Sequence, residues 1–108
     1  MMNTVKILHK KRVFADEIVM LKGNVNYTEL HFKNGKKIIL AKTLKILYST
    51  FSEHGFFRIN RSNAVNIRYL SKTLENYAVV KLVNNVELNV SRRRRKHLKE
   101  FIYETTNI

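Results

Sequence analysis

Apolar residues in this chain come in short runs rich in β-branched and aromatic side chains, too brief for helices and separated by polar or turn-forming residues. A sequence with that grain builds strands. The first run is Val5 to Leu8, and the second is Glu17-Ile18-Val19-Met20-Leu21, an apolar stretch short enough to be a buried strand. A third, Tyr27 to Phe32, puts Thr28, Leu30 and Phe32 on one face and Glu29 and His31 on the other. Asn34-Gly35 follows, a pair whose residues accept the positive φ of a tight hairpin turn, and Lys36 to Leu40 reads as the returning strand.

The period changes at residues 43–52, where Leu44, Leu47, Tyr48 and Phe51 stand at i, i+3, i+4 and i+7 behind Thr43, a good N-cap. This predicts a short amphipathic helix, with Gly55 near its end. Strand-like text resumes at Phe56 to Asn60 and at Ala64 to Ile67, and a second hairpin is predicted from Ala78 to Val83, the turn Asn84-Asn85, and Val86 to Val90. Ser91 is placed to cap a second helix with Leu98, Phe101 and Ile102 on its apolar side. With 108 residues, no proline and only three glycines, the chain has no linker by composition and no internal repeat. The expectation is one mainly β domain spanning residues 1–108, with two short helices and polar loops between small antiparallel sheets.

Charge narrows the function. The 21 Lys and Arg outnumber the 8 Asp and Glu by 13, while a 44% hydrophobic content supplies a core, so the charge decorates a fold. Six of the basic residues fall in 91–99, and without them 15 still face 8 acidic ones. If Ser91 is the N-cap, Arg92, Arg93 and Arg94 occupy a first turn where the helix dipole disfavours cations by roughly 0.3–1 kcal/mol each. An external phosphate reverses that sign, because it meets free N–H groups, the dipole and guanidinium forks together. The plain alternative for Arg93 to Lys96 is a solvated helix face. The excess over the whole chain, and the choice of Arg over Lys, favour a polyanion instead.

Other chemistries find little support. With no cysteine, disulfides, thiolate metal sites and cysteine nucleophiles are ruled out. His9, His31, His54 and His97 lie on separate predicted elements with no carboxylate at ligand-like spacing, so neither a metal nor a cofactor is expected. Asp16 and Glu17 read as neighbours on a strand, pointing to opposite faces rather than across a cleft. No nucleophile elbow or phosphate-cradling glycine loop occurs, so the chain reads as a binder without a small-molecule substrate, not an enzyme. It has no signal-like leader and no apolar run of about 18 residues, which fits a cytoplasmic protein away from membranes.

The order of segments then acquires a meaning. Glu17 through Thr28, Asn34-Gly35-Lys36, Thr43-Leu44-Lys45, Phe56-Phe57-Arg58-Ile59-Asn60-Arg61-Ser62, Val65-Asn66 and Val90-Ser91-Arg92-Arg93 resemble the LytTR (LytR/AlgR-type) DNA-binding domain, over roughly residues 14–103. The resemblance implies about ten short strands with small helices, and loops rather than a recognition helix entering successive major grooves. Members are usually bacterial transcription regulators, often fused behind a response-regulator receiver domain or a membrane segment, and bind imperfect direct repeats of double-stranded DNA as pairs of protomers. By resemblance the base-contacting positions are Asn26, Arg61 and Arg92. Asn suits adenine and Arg suits guanine chemically. Asn26 as a turn residue, Arg61 as a strand-surface charge and Arg92 as a solvated helix start stay open. Phosphate contacts are expected from Lys22, Asn24, Arg58, Ser62, Asn63, Ser91, Arg93 and Arg95.

Two departures stand out. Asn60 occupies a place where the family more often has His, and Asn cannot become cationic, so a phosphate contact there would be weaker. No phosphoacceptor aspartate pocket precedes the matching segment, so the chain reads as a stand-alone regulator or a domain cut from a longer one, and Met1 fits both. The competing readings are a small basic RNA-binding or ribosome-associated protein, and a protein-interaction or anionic-membrane module using the 91–104 helix. Tyr27, Phe32, Phe56 and Phe57 could serve a single-strand reader, but their alternation with polar residues reads as core.

Overall fold

A computed structural model describes residues 4–106. Within them ten strands form three antiparallel sheets, accompanied by two α-helices. At the centre lies β3 (Ile18–Gly23), flanked by β4 (Thr28–Phe32) and β7 (Asn63–Asn66), with β5 (Lys37–Leu40) and β6 (Phe56–Arg58) as the edges of a five-stranded sheet. A two-stranded hairpin, β1 (Thr4–Leu8) and β2 (Lys11–Phe14), and α1 (Leu44–Phe51) contribute to one core. A second core is built with a three-stranded sheet, β8 (Leu70–Leu74), β9 (Val79–Leu82) and β10 (Glu87–Asn89), and with α2 (Arg92–Thr106).

The central strand belongs to both cores. Ile18 and Leu21 pack with Val5, Ile7, Phe51 and Phe56, while Val19 and Met20 pack with Val65, Val80, Leu82 and Leu98. A register shift against β4 between Ile18 and Met20 accompanies this sharing. Apolar residues over the whole run therefore suit a strand covered on both sides.

The two hairpin turns are built alike, and differently from the expectation. At the first, the Gly35 N–H donates to Phe32 O (3.0 Å), the Phe32 N–H donates to Lys36 O (2.9 Å), and Asn34 Oδ1 accepts from the Lys36 N–H (3.0 Å). At the second, Asn85, Leu82, Val86 and Asn84 repeat that pattern at 2.9, 2.9 and 3.2 Å. Only the second residue of each pair is left-handed, Gly35 at φ 89° and Asn85 at φ 69°. The connection is a three-residue turn with one left-handed position, and Asn34 and Asn84 serve by their side chains.

Helix α1 begins where expected, with Thr43 Oγ1 accepting from the Ile46 N–H (3.4 Å). Four other expectations are corrected. Strands β2 and β8 were not among the runs read from the residues, because β2 buries one residue and β8 none, and little alternation survives. Asp16 and Glu17 lie in a 3-10 turn preceding β3, not on a strand. Tyr27 is 50% exposed and stands outside the core, whereas Phe56 is fully buried. Helix α2, at 15 residues, is not short. Among the described residues no helix is long and apolar enough to cross a membrane.

Candidate nucleic-acid interface

Three segments carry the predicted residues, and main-chain hydrogen bonds join them. The first is the loop 24–27 between β3 and β4, closed by the Asn24 N–H donating to Tyr27 O (2.8 Å). It leaves Asn24, Val25, Asn26 and Tyr27 exposed. Gly23 precedes it for a steric reason: a Cβ there would stand 2.8 Å from the Cβ of Leu44, the buried first residue of α1. The glycine lets strand end and helix start touch.

The second segment is the turn between β6 and β7. Ile59 is fully buried and anchors it, its N–H donating to Asn63 O at 3.0 Å. Arg61 and Ser62 form the exposed apex. Arg58 Nη2 donates to Arg61 O at 2.7 Å, and Asn60 Oδ1 accepts from the Ser62 N–H at 2.8 Å, so the backbone on both sides of the Arg61 side chain is held. The third segment is the end of β10 with the start of α2. Ser91 stands just before the helix, and both its N–H (2.9 Å) and its hydroxyl (3.4 Å) donate to Ile59 O. The Gly23 N–H donates to Ser62 O at 2.6 Å, closing the chain of contacts from the first segment to the third.

Between the first two segments and the start of α1 lies a groove of about 530 Å³. Lys22, Asn24, Arg58, Arg61 and Ser62 line it, five of the predicted residues. Asn26 lies in the loop that bounds it, and Arg92 and Arg93 are exposed on the first turn of α2. The other three are turned partly inward. Asn63 Nδ2 donates to Asn60 Oδ1 (3.1 Å), the Ser91 hydroxyl is engaged as described, and Arg95 Nε donates to Val90 O (3.1 Å).

Four cations, Lys22, Lys45, Arg58 and Arg61, line the groove against one carboxylate. The first turn of α2 contains no acidic residue. Arg58 is half-buried, its Nε is buried without a hydrogen-bond partner, and its pKa is lowered first by burial and then by Arg94, with Tyr48 opposing and Arg61 adding least to the lowering. Arg58, Arg61 and Arg94 are thus close enough to feel one another's charge, a costly arrangement that an external anion relieves. Glu29 is the acidic residue that lines the groove, and it is occupied by His31 Nε2 at 2.8 Å and Lys37 Nζ at 3.9 Å.

Sequence reasoning missed several contributors. Thr43 and Lys45 line the same groove. The helical period was the available signal, since burying Leu44 turns Lys45 outward at the helix start. Arg94 Nη1 reaches Arg58 O (3.5 Å), linking the arginine run to the second segment. Asn60 bridges two segments through a side chain whose partners lie up to 29 residues away, which no local pattern announces.

The fold has solved counterparts. The LytTr DNA-binding domain of a Bacillus cereus protein described as a methyl-accepting/DNA response regulator superposes with a TM-score of 0.73 at 14% identity, over 92% of this chain and 94% of that one. No curated protein matches. The sequence model of the LytTr DNA-binding domain matches residues 10–103, a span holding all three segments and both cores apart from Val5 and Ile7 of β1, and the chain belongs to the LytTR DNA-binding domain family.

Proposed function

We propose that this chain reads double-stranded DNA sequence-specifically, as the operator-binding part of a bacterial transcription regulator, and that all 108 residues act as one binding unit. The observation that carries the reading is the pair of hydrogen bonds, Gly23 N–H to Ser62 O and Ser91 N–H to Ile59 O, that couples one polar and two arginine-bearing segments in a member of a DNA-binding family. Asn26, Arg61 and Arg92, all exposed, are assigned to base edges. Lys22, Asn24, Arg58, Ser62, Asn63, Ser91, Arg93 and Arg95 are assigned to the sugar–phosphate backbone, where Asn63 and Arg95 act through the donors their internal bonds leave over and Ser91 acts by turning its hydroxyl from Ile59 O to the phosphate. Lys45 joins this set. The protein breaks no bond in this role. Its affinity comes mainly from neutralised phosphates and falls by orders of magnitude between about 50 and 200 mM salt.

Two protomers on directly repeated half-sites complete the proposal. Selection of bound duplexes from a random pool tests it. The expected result is one consensus whose half-sites repeat in the same orientation about 10 base pairs apart, one helical turn. Recovery of no consensus, or equal competition by structured RNA, would count against it.

A further inference from the structure

Asn60 sits at the junction of the second and third segments with its carboxamide fully engaged on one side. Oδ1 accepts from the Ser62 N–H at 2.8 Å and from Asn63 Nδ2 at 3.1 Å, and Nδ2 donates to Asn89 O at 2.6 Å. The orientation of the amide is settled by its partners, since a main-chain N–H can only donate and a carbonyl can only accept. The bond to the N–H two residues on is an Asx turn, which fixes the backbone across Arg61. The bond to Asn89 ties that turn to the end of β10, two residues before Ser91 and the arginine run. Both acceptor lone pairs of Oδ1 are taken, and one Nδ2 hydrogen remains.

From this geometry we infer that Asn60 is a positioning residue, which aims Arg61 and fixes its placement relative to Arg92, rather than a contact to the DNA backbone. The inference rests on the assignment of Arg61 and Arg92 to base edges. It also accounts for asparagine here: a neutral histidine offers one acceptor and one donor, and cannot accept twice while donating once. A second element of the site depends on the same residue, because Asn63 Nδ2 has its hydrogen bond to Asn60 Oδ1.

The test compares Asn60→Ala, Asn60→Ser and Arg61→Ala on the duplex recovered by selection and on a shuffled duplex of the same length, across a salt series. A residue that acts through Arg61 loses cognate affinity about five- to tenfold when replaced by Ala, keeps shuffled-duplex affinity within about twofold, and leaves the slope of log K against log salt unchanged because no phosphate contact is lost. In the Asn60→Ala background, Arg61→Ala then has little further effect. Asn60→Ser, whose hydroxyl can accept from the Ser62 N–H in the same kind of turn, restores part of the cognate-to-shuffled ratio, and it carries the comparison with wild type if the Ala variant fails to fold.

A slope reduced by about one would make Asn60 a phosphate contact and overturn the inference. Equal losses on both duplexes would reduce it to a merely structural residue, with the same consequence. If Arg61→Ala lowers the ratio and Asn60→Ala does not, the positioning role alone fails. If Arg61→Ala leaves the ratio intact, the base-reading assignment falls and takes the positioning role with it.

Discussion

The Gly23 amide donates to the Ser62 carbonyl across 2.6 Å, binding the end of the central strand to the turn that carries Arg61. Lys22 pairs with Asn63 in the neighbouring register position, so this bond extends a strand pairing beyond its last ladder position into the two loops. The loops inherit the rigidity of the sheet. Side chains at their tips can then be presented to a groove with little ordering cost on binding.

Arg61→Ala and Arg92→Ala should each weaken the selected operator by about 1–3 kcal/mol and flatten discrimination against a shuffled duplex. Lys22→Ala and Lys45→Ala should weaken both duplexes alike and lower the salt slope by about one. Fluorescence anisotropy titrations at several salt concentrations separate the two behaviours. An unchanged operator-to-shuffled ratio in both arginine variants would sink the base-contact assignment.

Gly23→Ala brings a methyl group to 2.8 Å from the Leu44 Cβ, an atom fixed to the backbone that cannot swing away. Either the start of α1 or the end of β3 must shift. Overpacking of this kind costs about 1–3 kcal/mol, read as a lower urea midpoint. Operator affinity should fall as well, because the displaced strand end carries the loop 24–27. A variant with the wild-type midpoint would show that the close approach is not needed.

Glu29 has a pKa held below the ordinary carboxylate value by its hydrogen bond to His31, with partial burial opposing and Lys37, the His31 charge and Lys22 adding to the lowering. A depressed folded-state pKa contributes stability that is fully present above the unfolded value and is lost as pH falls through the folded one. The melting temperature should therefore decline on acidification below the ordinary carboxylate range, and Glu29→Gln should flatten that part of the curve. Since the carboxylate stays partly open to solvent, the effect is small. The same variant removes a carboxylate from the groove and should raise affinity modestly for every duplex.

Gly35 at φ 89° and Asn85 at φ 69° occupy equivalent places in two turns of the same design. Gly35→Ala and Asn85→Ala should each cost about 1–2 kcal/mol, the penalty for an ordinary L-residue in the left-handed region. Asn85→Gly should be close to neutral, because it exchanges that mild strain for a freer unfolded chain. Equilibrium urea unfolding measures all three, and a neutral Gly35→Ala would contradict the turn geometry.

What could be read from the residues was whatever depends on neighbours in sequence. The apolar run at 18–21, the cap at Thr43, the i, i+3, i+4, i+7 stripe of α1 and both asparagine-containing turns are local patterns, and the structure keeps them. Strands β2 and β8 were invisible because strands with at most one buried side chain lose the alternation that marks them. The site divides in the same way. Arg61, Ser62 and Lys22 were reachable through a contiguous motif, whereas the bond from Asn60 to Asn89 and the reach of Arg94 to Arg58 join residues far apart in the chain. Arg95 was read as free to meet phosphate, yet its Nε is spent on Val90, a partner five residues back that only the bend between β10 and α2 brings near.

Because β3 supplies side chains to both cores, neither layer has an inside without it. Each layer draws two core residues from this one strand, so the molecule should open as one cooperative event and show a common hydrogen-exchange protection across β3, β7 and β9. On the proposed reading, retargeting to a new operator would be a matter of exchanging loop tips while leaving residues 18–23 alone, since that short ribbon holds the loop 24–27 and, through Gly23, the turn that carries Arg61.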